Sequence, residues 1–527
     1  MLKKITTIVT ALAAIFSAAD AKTYKIDISP EAFKTFSASK YASAEKHDGV
    51  DAIKFKIDDF PKTDKYEVVK IPIDLSVGKG KNMTITMDVV SNDGLLRNPN
   101  KSMFNGGTKI FFTYIKDAQP VHFSTRPEVG KLNNKFGIML DIIPEDVLKG
   151  ELTIGFFNVK GTVYFKNIEL EVGKSATYWK PNLDFDFKCE YSDRLKNCPL
   201  MRGAMFSTTY NEKNLEDFRK WNGNLIRVSI GGSPGDNRFT FGEKEENIIN
   251  APDYLQSYYE WLDKSIQTWK QYLDKCQKLG IKVVVGLHST PGFRYQNKDM
   301  RMFFEDKYAD AFIKSWKKIA RALNGHPAIW CYDLCNEPIQ SRPSKRDYLR
   351  LQYQAARAVR AIDADTPISV EAVNWDNPGA FVFLSPLPLK DIIYQVHMYH
   401  PGHLTHQGVF GGMPKKLVTY PNPASSTLNK KSLVDCLQPV RDFQLKWGAR
   451  IYVGEFSCVR WSPGNDRYFK DCIDIFEEYG WDWTYHAFRE WNGWSVEHGP
   501  DRNDNKPTAE PTPAKKVILE AFKKNKF

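Results

Sequence analysis

The period of the apolar residues changes once along this chain, near residue 174, and that change limits what the chain can fold into. Before it, short stretches alternate apolar and polar side chains: AIKFKID, YEVVKIPID, MTITMDVV, KIFFTYI, KFGIMLDII, LTIGFFNV and TVYFKNIELEV. Gly, Asn, Pro and Asp separate them. A period of two places every second side chain on one face of a strand, so residues 22–173 are predicted to form an antiparallel β-sandwich. Residues 174–190 show no clear period and read as a linker.

Residues 191–527 alternate helices with strands. In WLDKSIQTWKQYLDKCQKLG, Leu262, Ile266, Trp269, Leu273 and Cys276 fall on one helical face, and Gly280 ends the segment before IKVVVGLHS. Strand candidates are MRGAMFS, NLIRVSI, IKVVVGLHS, AIWCYDLCNEP, PISVEAVNW, DIIYQVHMY, RIYVGEFS and WTYHAFREW. Eight strands with helical stretches between most of them favour a (β/α)8 TIM barrel with enlarged loops. A doubly wound open sheet is the competing architecture, but no glycine-rich phosphate loop accompanies any strand.

The N-terminus reads as a signal peptide over residues 1–21. Lys3 and Lys4 precede a mostly apolar stretch, and Ala19-Asp20-Ala21 forms a small-residue cleavage site. No later run reaches the roughly 18 apolar residues of a membrane span. An exported, soluble protein is therefore expected, in the periplasm or outside the cell. The net charge of +11 is scattered among acidic residues, which gives no nucleic-acid footprint. Monomer is the default expectation, since nothing in the sequence specifies an oligomer. Cys189 and Cys198 flank EYSDRLKN and could be bridged or free. Cys331 and Cys335 would lie about 13 Å apart on a strand at about 3.3 Å per residue, too far for a disulfide.

The carboxylates carry the chemistry. Glu337 ends IWCYDLCNE and Glu455 ends IYVGE, so each closes an apolar strand. In a TIM barrel, such strand ends converge on one pocket. On a continuing strand, Cys331, Asp333, Cys335 and Glu337 would share a face, with Pro338 stopping the ladder after the carboxylate. Arg227 ends NLIR on the second strand candidate, His288 closes VVVGLH on the third, and His397 and Tyr399 close IIYQVHMY on the sixth.

Taken in chain order, LIRV, GLH, YDLCNEP, HMY and VGEF over about residues 200–490 resemble glycoside hydrolase family 5, a cellulase-like family of the retaining clan of (β/α)8 glycosidases. The resemblance implies Glu337 as general acid and base and Glu455 as nucleophile. It gives Arg227 and Tyr399 the task of holding Glu455 ionised and oriented. Asn336 would bond the sugar 2-hydroxyl, and His288 and His397 would line the subsite at the cleaved bond. It implies no cofactor, no metal, and a polysaccharide or oligosaccharide as partner. Retaining cleavage requires one protonated carboxyl and one ionised carboxylate about 5 to 5.5 Å apart. A cation at Glu455 would lower its pKa, while repulsion and partial burial would raise that of Glu337.

One segment departs from that pattern. The family closes its eighth strand with a tryptophan under the sugar, whereas WDWTYHAFREWNGW puts His486 in that register. Trp491 or Trp494 would then supply the platform, with Trp483 in the core, or a different sugar is handled. Trp375 and Trp461 follow the fifth and seventh strands as candidate sugar walls. Glu371 and Glu490 are read as ion-pair partners. His400, His403 and His406 are read as exposed loop residues with no metal-binding spacing. The segment GTVYFKNIELEVG resembles the closing strand of jelly-roll carbohydrate-binding modules, so the sandwich either binds polysaccharide or is structural. The reading is a secreted retaining endo-β-glycosidase acting on β-glucan, cellulose or mannan. The alternatives are a non-catalytic polysaccharide-binding barrel, and an exo-acting, small-glycoside or glycolipid enzyme.

Overall fold

The computed structural model describes residues 22–60, 66–78, 82–98, 107–116, 119–124, 129–142, 146–172, 181, 183, 185–236, 243–295, 298–341, 344–409, 413–414 and 416–527. The expected signal peptide and most of the expected linker lie outside these residues. The N-terminal part forms two antiparallel sheets. One orders Ala42–His47, Val50–Ile57, Val159–Val172, Asn82–Arg97 and Gly130–Ile142, with Lys22–Lys25 also paired to Val159–Val172. The other orders Ser37–Ala38, Glu67–Asp74, Lys149–Phe157, Gly107–Lys116 and Gln119–Ser124.

Alternation explains the sandwich core. Ile53, Phe55 and Ile57 meet Val69, Ile71, Ile73, Leu152, Ile154 and Phe156 between the sheets, while Lys54, Lys56, Lys70, Pro72 and Thr153, which alternate with them, keep contact with solvent. Four strands escaped the periodicity: Lys22–Lys25, Ser37–Ala38, Ala42–His47 and Gln119–Ser124. The first two have four and two residues. ASAEKH buries no side chain fully, and so carries no apolar alternation.

The C-terminal part is a closed barrel of eight consecutive parallel strands. They are β1 (Arg202–Phe206), β2 (Leu225–Ile230), β3 (Lys282–Leu287), β4 (Ile329–Asp333), β5 (Ile368–Glu371), β6 (Ile392–Met398), β7 (Arg450–Phe456) and β8 (Asp482–Phe488). Every strand candidate of residues 191–527 is in the barrel. Helices α1 (Glu212–Lys220), α2 (Tyr254–Leu279), α3 (Asp306–Leu323), α4 (Tyr348–Arg360), α5 (Lys430–Trp447), α6 (Asn465–Tyr479) and α7 (Pro513–Phe522) surround it. Between β5 and β6 the connection is a 3₁₀ stretch, Pro378–Phe383, whose Phe381 packs edge-on against Phe443 of α5 at 5.4 Å.

Strand β4 ends earlier than alternation predicts. Its ladder stops at Asp333, four residues before Glu337, so Pro338 does not terminate it. Cys331 points into the barrel with Val284, Ile393 and Tyr452, whereas Cys335 faces the outer core, its Sγ 3.5 Å from Met300 Sδ. The shared face therefore breaks after Asp333, and Glu337 is turned inward by a left-handed backbone, φ +51°.

The segment flanked by Cys189 and Cys198 closes the amino-terminal end of the barrel. Leu195 joins the barrel interior, and Arg450 at the start of β7 donates to its carbonyl at 2.7 Å. The Tyr191 hydroxyl accepts from Arg450 N and donates to Ile392 O. Both cysteines are free thiols, so this plug is held without a bridge.

Trp269 of α2 lies fully buried against the strands and donates its Nε1–H to Val228 O at 2.9 Å. That bond sits one residue from Arg227. Trp269→Ala is expected to destabilise the protein by about 3–5 kcal/mol through lost packing and an unpaired carbonyl. Denaturant unfolding measures it.

Candidate active site

The carboxyl ends of β4, β5 and β7, with the turn after β4, meet around one guanidinium from β2. Arg227, fully buried on β2, donates Nε to Asp333 at 2.9 Å and NH1 to Glu455 at 2.6 Å. Its NH2 reaches Asn336 Oδ1 at 2.8 Å and Glu371 Oε1 at 3.0 Å. Burial alone would drive the proton off, but Asp333, Glu455 and Glu371 reverse this and hold its pKa well above the usual arginine value.

Glu455, at the end of β7, has both oxygens engaged. Oε1 takes the Arg227 bond, and Oε2 accepts from the Tyr399 hydroxyl at 2.9 Å and lies 3.2 Å from His486 Nδ1. Burial by itself would raise its pKa. The imidazoles of His397 and His486, the His486 hydrogen bond and Arg227 outweigh burial and hold it well below the usual carboxylate range. Gly454 leaves room for this packing, because a Cβ there would come 2.2 Å from Gln395, whose amide donates to Asp333 and Glu371. Tyr399 stays a phenol, since burial and the charges of Glu455 and Glu337 push its pKa up.

Glu337 is the more open of the two carboxylates, its side chain 22% exposed against 5% for Glu455. Its Oε1 lies 3.0 Å from His397 Nδ1, its N–H donates to Glu371 Oε2 at 2.6 Å, and its carbonyl accepts from Arg294 at 2.8 Å. Arg294 in turn lies 4.9 Å from the Trp375 ring centroid. One oxygen of Glu337, one of Glu455 and a nitrogen of His397 all lie within 4.8 Å of one another.

The structure brings Glu337, Glu455, Arg227, Asn336, His288, His397 and Tyr399 together. Asn336 has both amide ends engaged, by Arg227 and, at 3.1 Å, by His288 Nε2. Trp491 stands further out, 41% exposed, its ring edge-on to Trp461 and Trp494 at 6.0 and 5.4 Å. Trp494 lies nearer the carboxylates, 5.8 Å from the His486 ring. Trp461 is buried in that cluster with its Nε1–H bonded to Gln407 O, so it offers no open wall. Trp483 is core, stacked on Phe522.

The loop histidines differ from expectation. His403 is exposed, but His406 is half-buried against Tyr399 and Trp494, at 4.9 and 5.0 Å. Burial lowers the pKa of His400 and of His406 to about 4, so both are neutral near pH 7.

Sequence reasoning assigned no site role to Asp333, Arg294 or Asp376. Asp376 follows β5 through Asn374 and Trp375, all three in the left-handed region, and its Oδ1 accepts from Ala372 N at 2.8 Å. Burial and repulsion from neighbouring acids push Glu371 and Asp376 well above the usual carboxylate range. The signal in EAVNWDN was its polar cluster just past a strand, but nothing local shows where the turn aims it.

Two triads, Glu337–His397–Glu455 and Glu371–Asp376–His397, have a spacing that a metal ion could use. Both draw on the same His397. Arg227 already places a fixed positive charge at Glu455 and Glu371, where a metal ion would add a second. The donor set suits acid–base and nucleophilic chemistry.

The sequence profile of Cellulase (glycosyl hydrolase family 5) matches residues 193–492. The chain belongs to this family. It is similar to Endoglucanase C of Acetivibrio thermocellus, 24% identical over 310 residues, covering 53% of this chain and 85% of that relative. Cellodextrinase A of Ruminococcus flavefaciens is 21% identical over 296 residues, covering 53% and 81%. Among solved structures, Cel5A of Thermotoga maritima in complex with cellobiose is 19% identical, with a TM-score of 0.45 and coverage of 61% and 96%. Membership makes the protein a glycosidase. Among the described residues, no helix is long and apolar enough to cross a membrane.

Arg227→Met would leave Asp333, Glu371 and Glu455 buried without their shared cation. A loss of about 3–5 kcal/mol in stability is expected at neutral pH. Because the folded-state pKa of Glu455 is depressed, its contribution exists above the unfolded carboxylate value and fades as pH falls through the folded one. Urea unfolding from pH 7 down to pH 3 should therefore show the gap between variant and wild type narrowing.

Proposed function

We propose that the protein is an exported, retaining endo-β-glycosidase that cleaves a β-linked glucan by double displacement. One observation carries this reading: an oxygen of Glu337 and an oxygen of Glu455 lie within 4.8 Å. That spacing is near the roughly 5–5.5 Å between the carboxyl groups of retaining enzymes and short of the roughly 6.5–9.5 Å that lets an inverting enzyme seat a water. The matched relatives, an endoglucanase and a cellodextrinase, support glucan over mannan as substrate. The charged start and small-residue end of residues 1–21 support export, to the periplasm or beyond the cell.

In the first step a Glu455 oxygen bonds to the anomeric carbon. The bond from that carbon to the leaving oxygen breaks, and Glu337 gives its proton to that oxygen. In the second, Glu337 takes a proton from water, the water oxygen bonds to the anomeric carbon, and the ester electrons return to Glu455. Arg227, Tyr399 and His486 fix Glu455 throughout, and the more open Glu337 can meet both leaving group and water. A barrel that only bound sugars would have no use for two carboxylates so close together.

Proton NMR of the first product from a soluble β-glucan is expected to show the β-anomer forming ahead of mutarotation. First appearance of the α-anomer would overturn double displacement. Glu455→Gln should abolish turnover on every glucan, mannan and xylan that the wild type cleaves. Glu337→Gln should lower kcat/KM by about 10²–10⁴-fold, the range for removing a general acid–base.

A further inference from the structure

Where the family resemblance places a tryptophan at the end of β8, this chain has His486, and its ring is held at both ends. Nδ1 lies 3.2 Å from Glu455 Oε2 and 2.6 Å from the Tyr399 hydroxyl. Nε2 lies 3.2 Å from Glu490 Oε2, four residues on in the loop that follows. The ring packs at a 33° tilt to Trp494.

We propose that His486 is a positioning residue, a charged imidazolium anchored by Glu490, that keeps Glu455 ionised and aimed through both steps of the reaction. The inference rests on Glu455 being the nucleophile.

The groups around the ring support a standing charge. Glu455 faces it from β7, Tyr399 from β6, His406 from the loop after β6 and Glu490 from its own loop. His406 and Tyr399 are uncharged near neutrality, which leaves the two carboxylates to decide. Burial alone would discharge His486, but Glu455 and then Glu490 push its pKa up to about 10. Each oxygen of Glu455 therefore has its own cation, Arg227 on Oε1 and His486 on Oε2.

Glu490 matters most when Glu455 is covalently occupied. Bonding to the anomeric carbon removes the charge of Glu455 and one partner of the imidazolium. Glu490 is not consumed, so the ring keeps a counter-ion and remains charged. When the ester bond breaks and its electron pair returns to Glu455, the imidazolium beside Oε2 stabilises the departing carboxylate. Glu490 has 27% of its side chain exposed, so it meets solvent while it holds the ring.

The test uses His486→Gln and Glu490→Gln in the full chain. The acid limb of kcat/KM reports the free enzyme's essential base. On a soluble β-glucan, His486→Gln should move that limb up by about one pH unit, a tenfold loss at pH values below the wild-type limb. Glu490→Gln should move it less, and should add a fall in kcat of about tenfold on the alkaline side, where the unsupported ring loses its proton. Melting curves establish that each variant is folded.

A second readout needs no substrate. In protein carrying ¹³C-labelled histidine, the His486 resonance is identified by its loss in His486→Gln. It should remain in the imidazolium form to about pH 10 in the wild type and titrate lower in Glu490→Gln. Titration near the ordinary value of 6.5 in the wild type, or an unmoved acid limb in a folded His486→Gln, would overturn the pair. If the wild type cleaved no β-glycan at all, the glucanase reading would fall, while the histidine titration would still judge His486 and Glu490.

Discussion

A single buried guanidinium organises the carboxyl end of the barrel. Arg227 makes hydrogen bonds to Asp333, Asn336, Glu371 and Glu455, residues from β4, the turn after it, β5 and β7. A lone buried cation is costly, and so is a buried ionised carboxylate such as Glu455; each is tolerable only because the other is present. The ring of strands is thus registered at its carboxyl end by charge as well as by backbone pairing. The amino-terminal end is closed by apolar contact around Leu195, Val284 and Tyr452, and is tied by Arg450, which bonds Leu195 O and Asp482.

Around this centre, each of the two facing carboxylates, Glu337 and Glu455, has its own imidazole. His397 joins Glu337 on one side and turns its other nitrogen toward Glu371 and Asp376, at 3.8 and 3.9 Å. His486 joins Glu455 and turns its other nitrogen toward Glu490. The two couples differ in their outer partners. Burial and mutual repulsion favour the neutral forms of Glu371 and Asp376, whereas Glu490 is partly hydrated. One fold therefore offers its two carboxylates different electrostatic settings, which is what the proposed double displacement requires.

The barrel was legible because its strands are buried on both faces and read as apolar runs, and because each proposed catalytic carboxylate closes such a run. GLH, HMY and VGEF lie at the ends of β3, β6 and β7 as expected, whereas LIRV opens β2 and sets Arg227 inside the strand, three residues before its end. Glu337 was found for a partly mistaken reason. Its position was inferred from alternation, but the ladder stops at Asp333 and a turned backbone delivers the side chain. Asp376 and Arg294 were not legible because loops carry no period, and their roles depend on the elements against which they fold. His406 failed differently. A Gly- and Pro-rich loop looks solvated in sequence, yet this one packs onto Tyr399 and Trp494. In the sandwich, edge strands such as Ala42–His47 lacked the apolar face on which the argument relied.

Four of the left-handed residues fall on one rim of the barrel. Glu337, Asn374, Trp375 and Asp376 all have φ between +51° and +65°, and none is a glycine. Such backbone costs of the order of 1–3 kcal/mol per residue and persists only where surrounding contacts enforce it. Here Trp375 N bonds to Pro338 O, and Asp376 is tied to Ala372. This rim would therefore be the first part of the barrel to relax if those ties loosened, so heat or denaturant could silence the enzyme while the cylinder beneath remained intact. A selection for thermal robustness alone would tend to install glycine at Asn374 or Trp375, easing the backbone and freeing the turn that now aims Asp376 inward.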